Sequence, residues 1–147
     1  MLTTNQKGAI AETAIVHAAT RLGIGVYKPV AEGGRCDLIF DLGRRLVRVQ
    51  CKWAMRHGDV IPVRCYSSRR GGEGFLKRSY TPDDVDAIVA YCAELDRCYF
   101  LPLDLFGCRT HVQLRLSAPQ NNQKLGVNWA DDFAFESLDW GKVFQGP

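Results

Sequence analysis

Glu12, Asp37, Gln50 and Lys52 are the residues whose types and order could do chemistry together. Hydrolysis of a phosphodiester needs a divalent ion to neutralise developing charge, oxygen ligands to hold it, and a group that orients or activates water. A carboxylate, an amide oxygen and a lysine supply that set. Asp37 reads as the principal ligand of Mg²⁺, Gln50 as a neutral carbonyl-type ligand, and the backbone C=O of Cys51 as a further oxygen between them. Lys52 then faces the attacking water and the phosphate. Glu12 can add a second carboxylate, directly or through water, if its helix packs across the sheet end. Each residue alone carries little: a single Asp after two glycines is a common turn residue, and an x-x-K strand is common too.

The elements that must position this set can be read from periodicity. Leu46 to Trp53 alternates, with Leu46, Arg48, Gln50 and Lys52 on one face and Val47, Val49, Cys51 and Trp53 on the other, a period of two. Asp37 opens a preceding strand through Phe40, and Asp41 to Arg44 supplies the turn. Glu12 lies on a helix capped by Thr4 or Asn5 and running to about Leu22. Its apolar stripe is Ile10, Ala14, Ala18 and Leu22, and Gly23 is its stop. Val26 to Val30 reads as a short extended piece and Val60 to Tyr66 as a further strand, so an antiparallel meander follows the helix. Ser67 to Ser79, rich in Gly, Ser and basic groups, reads as a loop. Thr81-Pro82-Asp83-Asp84 reads as a short helix start. Ile88 to Tyr91, Cys98 to Leu103 and His111 to Leu116 read as strands, and the segment with Trp129, Phe133, Phe135 and Trp140 packs back onto the sheet.

At 147 residues and 46% hydrophobic content the chain can bury one core, and a single domain over 1–147 is expected. No stretch approaches the roughly 18 to 20 apolar residues of a membrane span, and Met1 to Lys7 shows no export signal, so a soluble, cytoplasmic protein is expected. The six cysteines include no CxxC pair. They read as reduced thiols rather than disulfides or zinc ligands, with Cys51 facing the core. His17, His57 and His111 form no metal-binding pattern. The net charge of +3 is modest, but it is unevenly spread. Arg44, Arg45, Arg48, Lys52 and Arg56 occur without an acid, and Arg64, Arg69, Arg70, Lys77 and Arg78 follow against Glu73 alone. The tail instead carries Asp131, Asp132, Glu136 and Asp139 against Lys124 and Lys142. One basic surface on a near-neutral protein fits a polyanion.

Lys7-Gly8-x-x-x-Glu12 on an opening helix, Asp37-Leu38-Ile39, and Val49-Gln50-Cys51-Lys52 after a hairpin resemble the PD-(D/E)xK nuclease superfamily. Within it the chain is most similar to the intron-encoded homing endonuclease branch, which also has Gln in the third motif. Tyr80-Thr81-Pro82-x-Asp84-Val85-Asp86 running into Ile88 to Tyr91, and Phe100-Leu101-Pro102, extend the resemblance over most of the chain. Cys36 stands where the superfamily name has Pro, and Gln50 where it has an acid. The resemblance implies an α/β (α+β) restriction-endonuclease-like core, a central mixed β-sheet flanked by helices. It implies a Mg²⁺-dependent DNA endonuclease, with Mn²⁺ able to substitute and no small-molecule cofactor. The partner is double-stranded DNA and the assembly a symmetric homodimer or homotetramer. DNA-facing candidates are Arg44, Arg48, Arg56, Arg64, Tyr66, Ser67, Arg69, Arg70, Lys77 and Arg78. Two readings stay open beside it: a structure-selective nuclease resembling the Holliday-junction resolvases, and a catalytically inactive DNA-binding module. An RNA-directed nuclease has no mark in its favour.

Overall fold

The computed structural model describes residues 1–72, 74–106, 109–117 and 126–144; the side chains of 68–71 and 75 lie outside that description, as do Glu73, Cys108 and Lys124. Helix α1 spans Thr4–Arg21 and begins with a capping box: Thr3 Oγ1 accepts from the Gln6 N–H at 3.1 Å and Gln6 Oε1 accepts from the Thr3 N–H at 2.9 Å. The cap is therefore Thr3, one residue before the expected Thr4, because only Thr3 has a Gln three positions on to reciprocate. Gly23, at φ +82°, ends the helix. Its buried stripe is Ala11, Ile15 and Ala19. The expected row Ile10, Ala14 and Ala18 only flanks it, and Leu22 is exposed. The small side chains at 11 and 19 let the helix lie close to the sheet.

That sheet has five strands in the order β1-β2-β3-β7-β8, formed by β1 (Gly25–Tyr27), β2 (Leu38–Asp41), β3 (Leu46–Ala54), β7 (Ala87–Cys92) and β8 (Arg97–Pro102). β1, β2 and β3 are successive antiparallel neighbours, and β3 pairs with β7 in parallel. The turn between β2 and β3 is closed by Asp41 Oδ1, which accepts from the Gly43 N–H at 2.8 Å, with Gly43 at φ +89°. A parallel pair needs a crossover. It is supplied by residues 55–86, which include β4 (Val60–Arg64), β5 (Tyr66–Gly71) and β6 (Gly74–Ser79).

The crossover departs from the expected meander. β4 leaves the main sheet and joins a three-stranded one, in the order β10-β9-β4, with β9 (His111–Arg115) and β10 (Asn128–Trp129). The 67–79 segment is a two-stranded ribbon, β5 paired with β6 from Tyr66↔Ser79 to Gly71↔Gly74, where composition had indicated a loop. Thr81 to Asp84 forms a turn and no helix: Asp84 Oδ2 accepts from the Thr81 N–H and hydroxyl at 3.1 and 3.2 Å, and extended chain resumes at Ala87.

Every residue of β7 is buried, as a central strand covered on both faces must be. Ala87, Val89 and Tyr91 face α1 with Val47, Val49, Cys98 and Phe100. Ile88, Ala90 and Cys92 face the second sheet with Ile61, Val63, Val112 and Leu114. The helical flank is thus realised on one face, and strands cover the other. Trp140 packs edge-on against Phe40, Phe100 and Phe135, and its indole N–H donates to the Phe135 carbonyl at 3.1 Å, so the C-terminal segment does return to the sheet.

Candidate active site

β2 stops at Leu38 on its N-terminal side while β3 continues past Val49, which leaves the edge of residues 50 to 52 uncovered by a strand. Asp37 fills that edge. Its N–H donates to the Val49 carbonyl at 2.8 Å, and its Oδ2 accepts from the Cys51 N–H at 2.9 Å. In a strand the N–H and C=O of one residue point to the same edge, so the Cys51 carbonyl also faces the Asp37 side. Burial pushes the Asp37 carboxyl above the ordinary aspartate range, with the Glu12 charge adding to the rise; the Cys51 N–H and Lys52 oppose it.

Gln50 and Lys52 share the face of β3 opposite α1. Gln50 Oε1 is buried and accepts no hydrogen bond among the described residues. An amide oxygen in that state is short of a donor or a cation. Lys52 Nζ donates to the Tyr66 carbonyl at 3.0 Å and lies 4.9 Å from the centre of the Tyr80 ring. Burial pushes the Lys52 ammonium down from the usual lysine range, and the Asp37 charge partly restores it.

Glu12 reaches the site from α1. It lines, with Lys28, Glu32, Cys36 and Asp37, a cleft of about 230 Å³, and its carboxylate is bridged by Lys28 at 2.6 Å. Glu12 and Asp37 therefore share one cleft, Asp37 is bonded to the Gln50-Cys51-Lys52 strand, and the four candidate oxygen donors are Glu12, Asp37, Gln50 Oε1 and the Cys51 carbonyl. All are hard ligands of the kind Mg²⁺ takes. Among the described residues no three His, Cys, Asp or Glu side chains are grouped to hold a metal. Two such side chains, Glu12 and Asp37, line the cleft, and Gln50 is not among its lining residues. Cys51 packs toward the α1 side, where burial raises its thiol pKa far above the ordinary range.

The basic candidates divide. Arg44, Arg56, Arg64, Lys77 and Arg78 are exposed, with Arg78 3.5 Å from Asp84. Arg48, its side chain 38% exposed, is engaged by its neighbours: its guanidinium donates to Asp86 Oδ2 at 3.3 Å and Oδ1 at 3.1 Å, to the Asp83 carbonyl at 2.8 Å and to the Pro82 carbonyl at 2.7 Å. With those donors committed, Arg48 braces the turn that leads into β7. Arg56 is held by the Gly58 carbonyl at 2.6 Å and by Asp59. Tyr66 is 8% exposed, packed against His111, so its ring is also withdrawn from the surface. Ser67 is half-buried, and the side chains of Arg69 and Arg70 lie outside the described residues. Periodicity gave no signal for Lys28, Arg35 or Tyr80, which the fold brings to the same neighbourhood; none of them sits in a strand or helix with a repeating pattern.

A family model described as PD-(D/E)XK endonuclease matches residues 2–136, a span that contains Glu12, Asp37, Gln50 and Lys52. The solved structure of a bacterial homing endonuclease, I-Ssp6803I, is similar: TM-score 0.73 and 25% identity, over 90% of this chain and 89% of that one. No curated protein matches the chain in sequence. The expected α+β class with a central mixed sheet and an opening helix agrees with both matches.

Proposed function

Because the chain belongs to the PD-(D/E)XK endonuclease family, we propose that it is a homing-type DNA endonuclease that uses Mg²⁺ and cuts both strands of a defined site. The observation that supports the metal reading is the Oε1 of Gln50, buried and without a partner among the described residues, on the strand whose backbone Asp37 holds. An amide oxygen buried without a donor is short of a proton or a cation, and Asp37, whose carboxyl burial holds above its ordinary range, also gains from a cation at hand. Glu12, Asp37, Gln50 Oε1 and the Cys51 carbonyl would hold the ion, which when bound supplies Lewis-acid stabilisation of charge on the phosphate. Mn²⁺ meets the same oxygen set.

Lys52 serves the other half of the chemistry. Its ammonium, set on the Tyr80 face and close enough to Asp37 to feel its charge, orients the attacking water and the scissile phosphate. The exposed Arg44, Arg64, Lys77 and Arg78 grip phosphate or reach base edges. One chain carries one such site, so cutting two strands in register calls for a symmetric homodimer or homotetramer. Homing character is supported by the similarity to I-Ssp6803I, itself a homing endonuclease by name.

The test is cleavage of a mixed DNA library with Mg²⁺ or Mn²⁺ by the wild type, Asp37→Ala and Lys52→Ala, with sequencing of new ends. Discrete, symmetric ends from the wild type alone support the reading. Cutting that follows branched structure irrespective of sequence would replace homing with a structure-selective role, and binding without cutting under either metal would end the enzymatic reading.

A further inference from the structure

Arg35 meets three different groups near the site. Its guanidinium carbon lies 4.1 Å from the centre of the Tyr80 ring, its Nη2 donates to the Arg78 carbonyl at 3.0 Å, and its Nε lies 3.5 Å from Asp84 Oδ2. The same ring, 3% exposed, carries Lys52 Nζ at 4.9 Å. Lys52 in turn donates to the carbonyl of Tyr66, whose cross-strand partner is Ser79. Arg35 thus grips the β6 side of the ribbon's foot and Lys52 the β5 side, and the two cations share one aromatic ring.

This arrangement is costly as packing. Arg35 Nε and Nη1 are buried and make no hydrogen bond among the described residues. Leu or Met would cover Tyr80 without burying unsatisfied donors, so packing alone does not account for the guanidinium. Like charges on one ring repel, and the Asp37 charge favours the Lys52 ammonium. The stacking of Arg35 on the ring and its bond to Arg78 immobilise the ring on which that lysine rests.

We propose that Arg35 is a positioning residue for cleavage: through Tyr80 and the foot of the ribbon it fixes where the Lys52 ammonium stands. The proposal rests on the nuclease reading for its consequence but not for its geometry. A misplacement of about 1 Å in such a group lowers turnover on the order of 100-fold.

Three measurements on Arg35→Gln and Arg35→Lys test it: single-turnover cleavage with Mg²⁺, DNA affinity in Ca²⁺, and the NMR shift of the Lys52 ε-methylene, assigned by its loss in Lys52→Arg. Arg35→Gln should cleave roughly 10- to 100-fold more slowly, with affinity within about threefold of wild type and with the ring-current shift of Lys52 changed. Arg35→Lys should recover part of both rate and shift. Tyr80→Leu, which removes the ring and leaves the other Arg35 bonds, should slow cleavage to a similar extent, and that rate is the readout if Arg35→Gln does not fold. Wild-type rate in folded Arg35→Gln or Tyr80→Leu, affinity falling in step with rate, or a Lys52 resonance without ring-current shift in the wild type would overturn the proposal. If the wild type cuts no DNA, the nuclease reading fails, while the resonance still decides whether Arg35 sets the lysine.

Discussion

The Cys51 N–H donates to Asp37 Oδ2 at 2.9 Å, while the Asp37 N–H donates to the Val49 carbonyl at 2.8 Å, so one aspartate brackets Gln50 from both sides. The carboxylate is placed by backbone, not by a side-chain partner that could swing away. Cys36, where the superfamily name has proline, keeps the approach to β2 ordered by another route: its thiol donates to the Leu38 carbonyl at 3.2 Å.

Asp37→Ala should lower cleavage by more than about 100-fold, since loss of an outer-shell partner alone typically costs 10- to 100-fold in affinity or activity. Calorimetric titration with Mn²⁺ should show the site lost, with metal-free DNA binding kept. The raised pKa has a sign of its own. Protonation of Asp37 favours the folded state, so its contribution to stability is full below the ordinary aspartate value of about 3.9 and fades as pH rises through the raised folded value. Metal-free wild type should therefore lose Tm between acid and neutral pH relative to Asp37→Asn, and added Mg²⁺ should restore it in the wild type only.

Gln50→Glu would add a third carboxylate to the donor set. Ligand charge count tunes the affinity of hard cations, so Mn²⁺ should bind roughly tenfold tighter. The metal-free variant should melt lower, because the new charge takes the place of a buried amide oxygen. Unchanged Mn²⁺ affinity with unchanged Tm would remove Gln50 from the metal site.

The active strand was legible because its information is local: Gln50 and Lys52 fall on one face of β3 by a period of two, and the Asp41 to Arg44 turn is written in its Asp and Gly. Glu12 could be placed on the opening helix, but the stripe beside it was read one position early, since Ala11 and Ala19 look no more apolar than Ala14 and Ala18 until a sheet is laid against them. Other features were set by partners distant in sequence. β4 joins β9 and not β3, the ribbon from Tyr66 to Ser79 holds its pairing despite loop-like glycines and serines, and Arg48 is engaged by Asp86, 38 residues later. No pattern within a single element carries that choice.

The Arg48–Asp86 pair should prove structural. Asp86 accepts from the Arg48 N–H at 2.8 Å and from its guanidinium, and its own N–H donates to the Arg48 carbonyl at 2.9 Å, which ties the start of β3 to the entry of β7. Burial alone would raise the Asp86 carboxyl, but the bonds from Arg48 outweigh it and hold the pKa below the usual value. A lowered folded pKa stabilises above the unfolded value of about 3.9, and that stability is lost as pH falls through the folded value. Asp86→Ala should lose about 2–3 kcal/mol in urea denaturation at neutral pH, the range for charge-assisted hydrogen bonds, and the difference from wild type should shrink in strong acid. A double-mutant cycle with Arg48→Ala should show strongly non-additive losses.

Arg64 and Lys77, both exposed, give the contrasting expectation. A side chain that neutralises a DNA phosphate releases about one counterion, so replacing Arg64 or Lys77 with Ala should flatten the slope of log affinity against log salt by about 0.9 each. The loss should be similar for cognate and unrelated duplexes, as phosphate contacts carry no base information. Fluorescence anisotropy in Ca²⁺ across a salt series gives both quantities at once. Arg48→Ala belongs in the same series as the internal control: with its guanidinium committed to Asp86, Asp83 and Pro82, it should lower stability and leave the slope where it was. A slope that falls for Arg48→Ala and holds for Arg64→Ala and Lys77→Ala would move the DNA to another face of the protein.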